Sequence, residues 1–141
     1  MRICIDSCVF IRGLIENDQL LAQLIPMLNP KLRLTIPLIA ALEVTQNLFE
    51  IRQVQQFYSF FRISEDASIV YEPPPVELVQ RYIKLGLREK GDAYIGAFAE
   101  WVGVDHLISD NRHFLRELKT DAFEVLDLQT FIHKIEPGLV G

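Results

Sequence analysis

The sequence predicts an α/β fold built on a five-stranded parallel sheet with flanking helices, and three features carry that prediction. Short apolar runs alternate with longer segments of helical period, the pattern of repeated strand–helix units. The chain has 141 residues, 50% apolar and 23% charged, enough to bury a core without disulfides or a structural metal. No repeat, low-complexity tract or linker interrupts it, so residues 1–141 read as one domain.

Residues 2–6 are the first strand, ending on the carboxylate of Asp6. Apolar residues at Phe10, Leu14, Leu21, Leu24, Ile25 and Leu28 then mark one or two helices with a break near 13–18, closed by Pro30. Residues 31–36 form the second strand, and Pro37 stands where a helix can begin. Leu38, Ala41, Leu42, Thr45, Leu48 and Phe49 make one stripe of that helix, with Glu43, Gln46, Asn47 and Glu50 on the other face. Helix continues over 51–62. A third strand follows at 67–71, stopped by Pro73-Pro74-Pro75, and a helix at 76–85 leads into a charged connection.

Residues 92–102 are the most apolar helix, with Ala93, Gly96, Ala97 and Ala99 small enough for close packing on a sheet. The fourth strand spans 106–109 and a short helix 112–119. The fifth strand spans 123–126, and Asp127 caps a last helix running to about Ile135.

Asp and Glu number 19 against 14 Lys and Arg, a net charge of −5, which disfavours holding nucleic acid by bulk charge. Cys4 and Cys8 are too few and too close for a disulfide framework or a thiolate metal site. The longest apolar run, 34–44, is too short and too interrupted to span a bilayer. The start of the chain carries no secretory pattern. These features point to the cytoplasm.

In open α/β sheets ligands bind beyond the carboxyl ends of the strands, where strand order reverses. Asp6 ends the first strand and Asp110 follows the fourth. Asp92 opens the buried helix, and Glu43 lies in the second turn of the helix after the second strand. Four acids brought into one cleft either raise one another's pKa values or bind a cation. Oxygen ligands without His or Cys favour Mg²⁺ or Mn²⁺.

Each acid has a plainer reading as well. Asp92 after Gly91 reads as an N-cap, Glu43 as solvated surface and Asp110 as a turn initiator with Asn111. Asp6 resists such a reading, because a carboxylate ending a buried strand is costly unless partnered. Ser7, Asn47, Ser109 and Asn111 are polar neighbours able to hold the ligands or water, or to serve as caps and turns. Arg112, Arg116 and Lys119 share one face of the short helix, as phosphate contacts or as a solvated face.

Together these residues resemble the PIN-domain nucleases, which include the VapC-type toxins of toxin–antitoxin pairs. Ile3-Cys4-Ile5-Asp6-Ser7 is similar to the family's opening strand and first acid. Glu43 falls at its second acid, and Gly91-Asp92-Ala93-Tyr94-Ile95-Gly96-Ala97 matches the helix that carries the third. Leu107-Ile108-Ser109-Asp110-Asn111-Arg112-His113-Phe114 resembles its fourth-strand motif, with two departures. Counted from Ser109, the fourth acid falls on Asn111, so Asp110 is displaced by one position. Cys8 stands where many members have a small polar residue.

The resemblance implies a three-layer α/β/α sandwich and Mg²⁺- or Mn²⁺-dependent hydrolysis of RNA. Asp6 and Asp92 would be the principal metal ligands, with Glu43 and Asp110 completing the catalytic site. It also implies a homodimer and, for a toxin, a small antitoxin. Two other readings stand beside it. One is a catalytically weak RNA- or partner-binding module. The other is a haloacid-dehalogenase-like phosphatase with Asp6 as nucleophile, for which Cys8 occupies the position of the required second Asp. Setting the four site acids aside leaves 15 acids against 14 bases, so most of the net charge would sit in the cleft.

Overall fold

The computed structural model describes residues 1–87, 90–116 and 118–140, with side chains for all of these except 90, 112, 113 and 136–140. Five strands, β1 (Arg2–Ile5), β2 (Arg33–Pro37), β3 (Ala67–Val70), β4 (His106–Ile108) and β5 (Glu124–Leu126), form one sheet in the order β3-β2-β1-β4-β5. Every pairing is parallel. The central strands are apolar without alternation because both faces are covered: Ile3, Cys4, Ile5, Leu34, Ile36, Leu107 and Ile108 are all fully buried. The predicted fold class holds.

The helices are α1 (Ser7–Ile15), α2 (Gln19–Met27), α3 (Leu38–Gln46), α4 (Ile51–Ile63), α5 (Val76–Lys84), α6 (Lys90–Val102), α7 (Arg112–Arg116) and α8 (Leu128–Val140). The chain steps one way along the sheet from β1 through β2 to β3, then crosses back to β4 and β5. Right-handed crossovers therefore put α1–α4 on one face and α5–α7 on the other. The contacts of α1 with α2, α3 and α4, and of α5 with α6, agree with that division. Strand order reverses between β1 and β4, which opens the crevice outside their carboxyl ends.

Most element boundaries follow the sequence reading, and the departures have local causes. The first helix starts at Ser7 rather than Phe10, because the Asp6 carboxylate accepts a hydrogen bond from the Ser7 N–H and caps it. Asn17, at φ 55°, turns the chain into α2, a left-handed position that Asn tolerates. The stripe of α3 is rotated from the expected one. Ala40, Ala41, Val44 and the following Leu48 are buried, while Leu42 and Phe49 are exposed. The helix does not run on into α4 but stops at Asn47, whose side-chain amide donates to the Glu43 carbonyl at 2.8 Å.

α6 begins at Lys90, two residues before Asp92, so Asp92 lies inside the first turn and the N-cap reading is set aside. α7 ends at Arg116 rather than near Lys119. α8 extends to Val140, and Asp127 caps it as expected, accepting from the Thr130 N–H at 2.7 Å. A Cβ on Gly96 of α6 would stand 2.7 Å from the ring of the fully buried Tyr82 of α5, which is why a residue without one lies there. Among the described residues no helix is long and apolar enough to cross a membrane.

A carboxylate cleft at the end of the central strands

The site is assembled from the ends of β1 and β4 and the starts of the helices beside them. A cleft of about 370 Å³ is lined by Asp6, Ser7, Cys8, Glu43, Gly91, Asp92, Ile95, Asp110 and Asn111. All four predicted acids border it, contributed by the end of β1, the second turn of α3, the first turn of α6 and the loop after β4. A larger groove, about 700 Å³ and lined by α1, α2 and α4 residues such as Leu14, Leu21, Ile25 and Phe60, contains none of them.

Asp6 is the most deeply set, 7% exposed. Its Oδ1 accepts from the Ser7 N–H at 2.8 Å and its Oδ2 accepts from Ser109 Oγ at 2.9 Å. Burial raises its pKa above the ordinary carboxylate value. The hydrogen bonds from Ser109 and Ser7 pull it down, and the charges of Asp92 and Glu43 push it up again. Asp6 thus feels the charges of two other acids of the cleft.

Glu43 joins the site through Ser7, whose Oγ donates to Glu43 Oε1 at 2.9 Å. Asp92 is joined by Asn111, whose Nδ2 lies 3.2 Å from each of its carboxylate oxygens. The Asn111 N–H donates to Ser109 Oγ at 3.0 Å, so the loop after β4 is tied to both Asp6 and Asp92. Cys8 Sγ stands 3.7 Å from Asp6 Oδ2. Burial, then the nearby Asp6 charge, pushes the Cys8 thiol up to about 12, so it is a neutral neighbour at physiological pH and not a thiolate ligand.

Asp110 stands apart electrostatically. Its Oδ2 lies 2.9 Å from Nη2 of Arg12 on α1. Burial raises its pKa and the Arg12 charge lowers it, and neither Asp6 nor Asp92 is among its principal influences. Arg12 carries no sequence signal of this role, since nothing in an isolated helical Arg indicates a partner 98 residues later.

Of the four predicted polar neighbours, Ser7, Ser109 and Asn111 contact the site acids, whereas Asn47 bonds the backbone end of α3 and does not line the cleft. The predicted cationic strip is not one helix face. Arg116 ends α7 and Lys119 lies past it, beside a separate hollow with Phe114 and Thr120. The Arg112 side chain lies outside the described residues.

The donor set of the cleft is hard oxygen, which suits Mg²⁺ or Mn²⁺. Among the described residues no three Asp, Glu, His or Cys side chains converge closely enough to hold an ion at once.

No family model matches the chain, and no curated protein matches its sequence. Solved structures do resemble it. PAE2754 from Pyrobaculum aerophilum superposes with a TM-score of 0.62 at 17% identity, covering 97% of this chain and 96% of that one. VapBC-1 from nontypeable Haemophilus influenzae gives 0.62 at 17%, covering 92% and 99%. VapBC2 from Rickettsia felis, solved bound to a DNA fragment from their promoter, gives 0.62 at 13%, covering 90% and 98%. The likeness is one of fold, and that fold is PIN-like.

Proposed function

We propose that this PIN-like chain is a divalent-metal-dependent ribonuclease. The observation that carries the reading is that Asp6, Glu43 and Asp92, from three separate segments, line one cleft at the strand-order reversal. Asp6 and Asp92 are assigned as the principal ligands of Mg²⁺ or Mn²⁺, with Glu43 acting through water or as the group that takes a proton from the attacking water. A divalent ion bound there would activate water and offset charge on the phosphate. The chain's own part is to fix the carboxylates. Ser109 and Ser7 orient Asp6, Ser7 also orients Glu43, and Asn111 orients Asp92. Arg112, Arg116 and Lys119 are proposed phosphate contacts, in the cytoplasm.

The VapBC structures among the fold neighbours support a toxin role with a small antitoxin partner. A homodimer is proposed on the family resemblance. The competing reading is a PIN-like binding module with weak catalysis, favoured by Asn111 standing where the fourth acid is expected. Incubating the purified protein with single-stranded RNA and Mn²⁺ separates the two. Cleavage that disappears with chelator and in Asp6→Asn supports the nuclease, and cleavage that survives Asp6→Asn or never exceeds the metal-free rate contradicts it.

A further inference from the structure

Arg12 has no part in the site as read so far, yet its guanidinium meets the one acid of the cleft rim that the metal-site assignment leaves over. Its Nη2 lies 2.9 Å from Asp110 Oδ2 and 4.0 Å from Asp18 Oδ2. The two residues that flank Asp110 are those that hold the cleft carboxylates. Ser109 Oγ donates to Asp6 Oδ2 at 2.9 Å, Asn111 Nδ2 lies 3.2 Å from both oxygens of Asp92, and the Asn111 N–H closes the turn on Ser109 Oγ at 3.0 Å. A three-residue turn thus has its outer members on two site acids and its middle member clamped to α1, the helix that Asp6 itself caps.

We infer that Arg12 is a positioning residue, which through its ion pair with Asp110 holds the Ser109–Asn111 turn so that Asp6 and Asp92 face one cation. This rests on the metal-site reading above and deepens it. The pair is partly solvated, with side chains 44% and 22% exposed, so water screens its attraction and it adds little to global stability. Its effect is geometric. Without Arg12 the half-buried Asp110 carboxylate loses its close counter-charge and has to turn toward solvent, a movement that carries Ser109 and Asn111 with it. The contact is one of charge at close range, since Asp110 Oδ2 is buried and has no hydrogen-bond partner among the described residues, so Lys in place of Arg12 would keep part of the attraction.

The test is Mn²⁺ binding, read from the electron paramagnetic resonance signal of free Mn²⁺, with Tm recorded for each protein. Wild type is compared with Arg12→Ala, Arg12→Lys, Asp110→Asn and the Arg12→Ala/Asp110→Asn double variant. Arg12→Ala and Asp110→Asn are each expected to weaken Mn²⁺ binding by about tenfold, the scale seen when an outer partner of a metal ligand is removed. Arg12→Lys should recover part of that loss, and Tm should stay close to wild type. The double variant should bind no more weakly than the weaker single one, because both substitutions remove the same contact. Wild-type affinity in Arg12→Ala, Arg12→Lys and Asp110→Asn, or losses that multiply in the double variant, would overturn the positioning role while leaving the metal site in place. Absence of Mn²⁺ uptake by wild type would overturn both. If Arg12→Ala does not fold, Arg12→Lys and Asp110→Asn still decide the matter.

Discussion

β1 and β4 lie side by side at the centre of the sheet, and each is followed within two residues by an aspartate, yet the two acids are held in opposite ways. Asp6 accepts hydrogen bonds from neutral donors, Ser7 and Ser109, and the charges of Asp92 and Glu43 act on it. Asp110 has a cation, Arg12, at 2.9 Å. Burial raises the pKa of both and neighbouring acids add to it at both; what opposes the shift is the Arg12 charge at Asp110 and the hydrogen bonds from Ser109 and Ser7 at Asp6. The contrast teaches that acids at neighbouring strand ends can face different charges, a protein cation at one and further carboxylates at the other. On the proposed metal site, that difference is why Asp6 and not Asp110 is assigned as a ligand. At Asp6 burial and the neighbouring carboxylates are a cost to the fold that a bound metal ion would relieve.

The largest expected effect is on catalysis. Asp6→Asn or Asp92→Asn should lower Mn²⁺-dependent RNA cleavage by more than about 100-fold, beyond what outer-partner changes produce, measured as initial rates on a labelled oligonucleotide. Equal loss in Asp6→Asn and Asp110→Asn would erase the contrast between the two strand ends.

Asn111→Asp sharpens the comparison from the other side, because it places a fourth carboxylate against Asp92. Affinity follows ligand charge, so Mn²⁺ binding should tighten by about tenfold. The metal-free protein should melt lower, by about 2–4 °C for each kcal/mol of added repulsion. Calorimetric titration and thermal melting with and without Mn²⁺ check the two halves.

A stability profile against pH isolates Asp6. Its folded pKa lies above the unfolded one, so its favourable contribution is complete below the ordinary Asp value of about 3.9 and is lost as pH rises through the folded value. The stability of wild type relative to Asp6→Asn should therefore fall as pH rises through that window in the absence of metal. Mn²⁺ should reduce the fall. A relative stability that rises over the same window would contradict the raised pKa. Taking the difference removes Glu124 and Asp127, whose lowered values act in the opposite direction.

The smallest effect concerns the cations after the fourth strand. Replacing Arg112, Arg116 or Lys119 by Ala should weaken RNA binding modestly, and each true phosphate contact should reduce the slope of log K against log salt by about 1. Lys119 lies past α7 beside a different hollow, so a full contribution from it would show that the RNA path runs beyond the cleft.

Much of this was legible in the sequence. Unbroken apolar strands such as 3–5 and 107–108 announce a sheet buried on both faces, and strand-end acids announce a cleft. The buried face of α3 is not legible in the sequence because Leu42 and Phe49 fit the helical period as well as the residues actually buried. Asp92 read as a cap because Gly91 looks like a helix boundary, whereas α6 starts one residue earlier. The displacement of Asp110 was visible, but its cause was not. The Arg12 pairing is a tertiary contact that no local pattern encodes, and only the fold shows that Asn111, one residue on, is the one that reaches Asp92.

The most direct test is a crystal structure with bound Mn²⁺, located by anomalous scattering. The predicted result is an ion between the carboxylates of Asp6 and Asp92, with the Asp110–Arg12 pair intact and Asp110 outside the coordination shell. An ion on Asp110, or no site in the cleft at saturating Mn²⁺, would contradict the account.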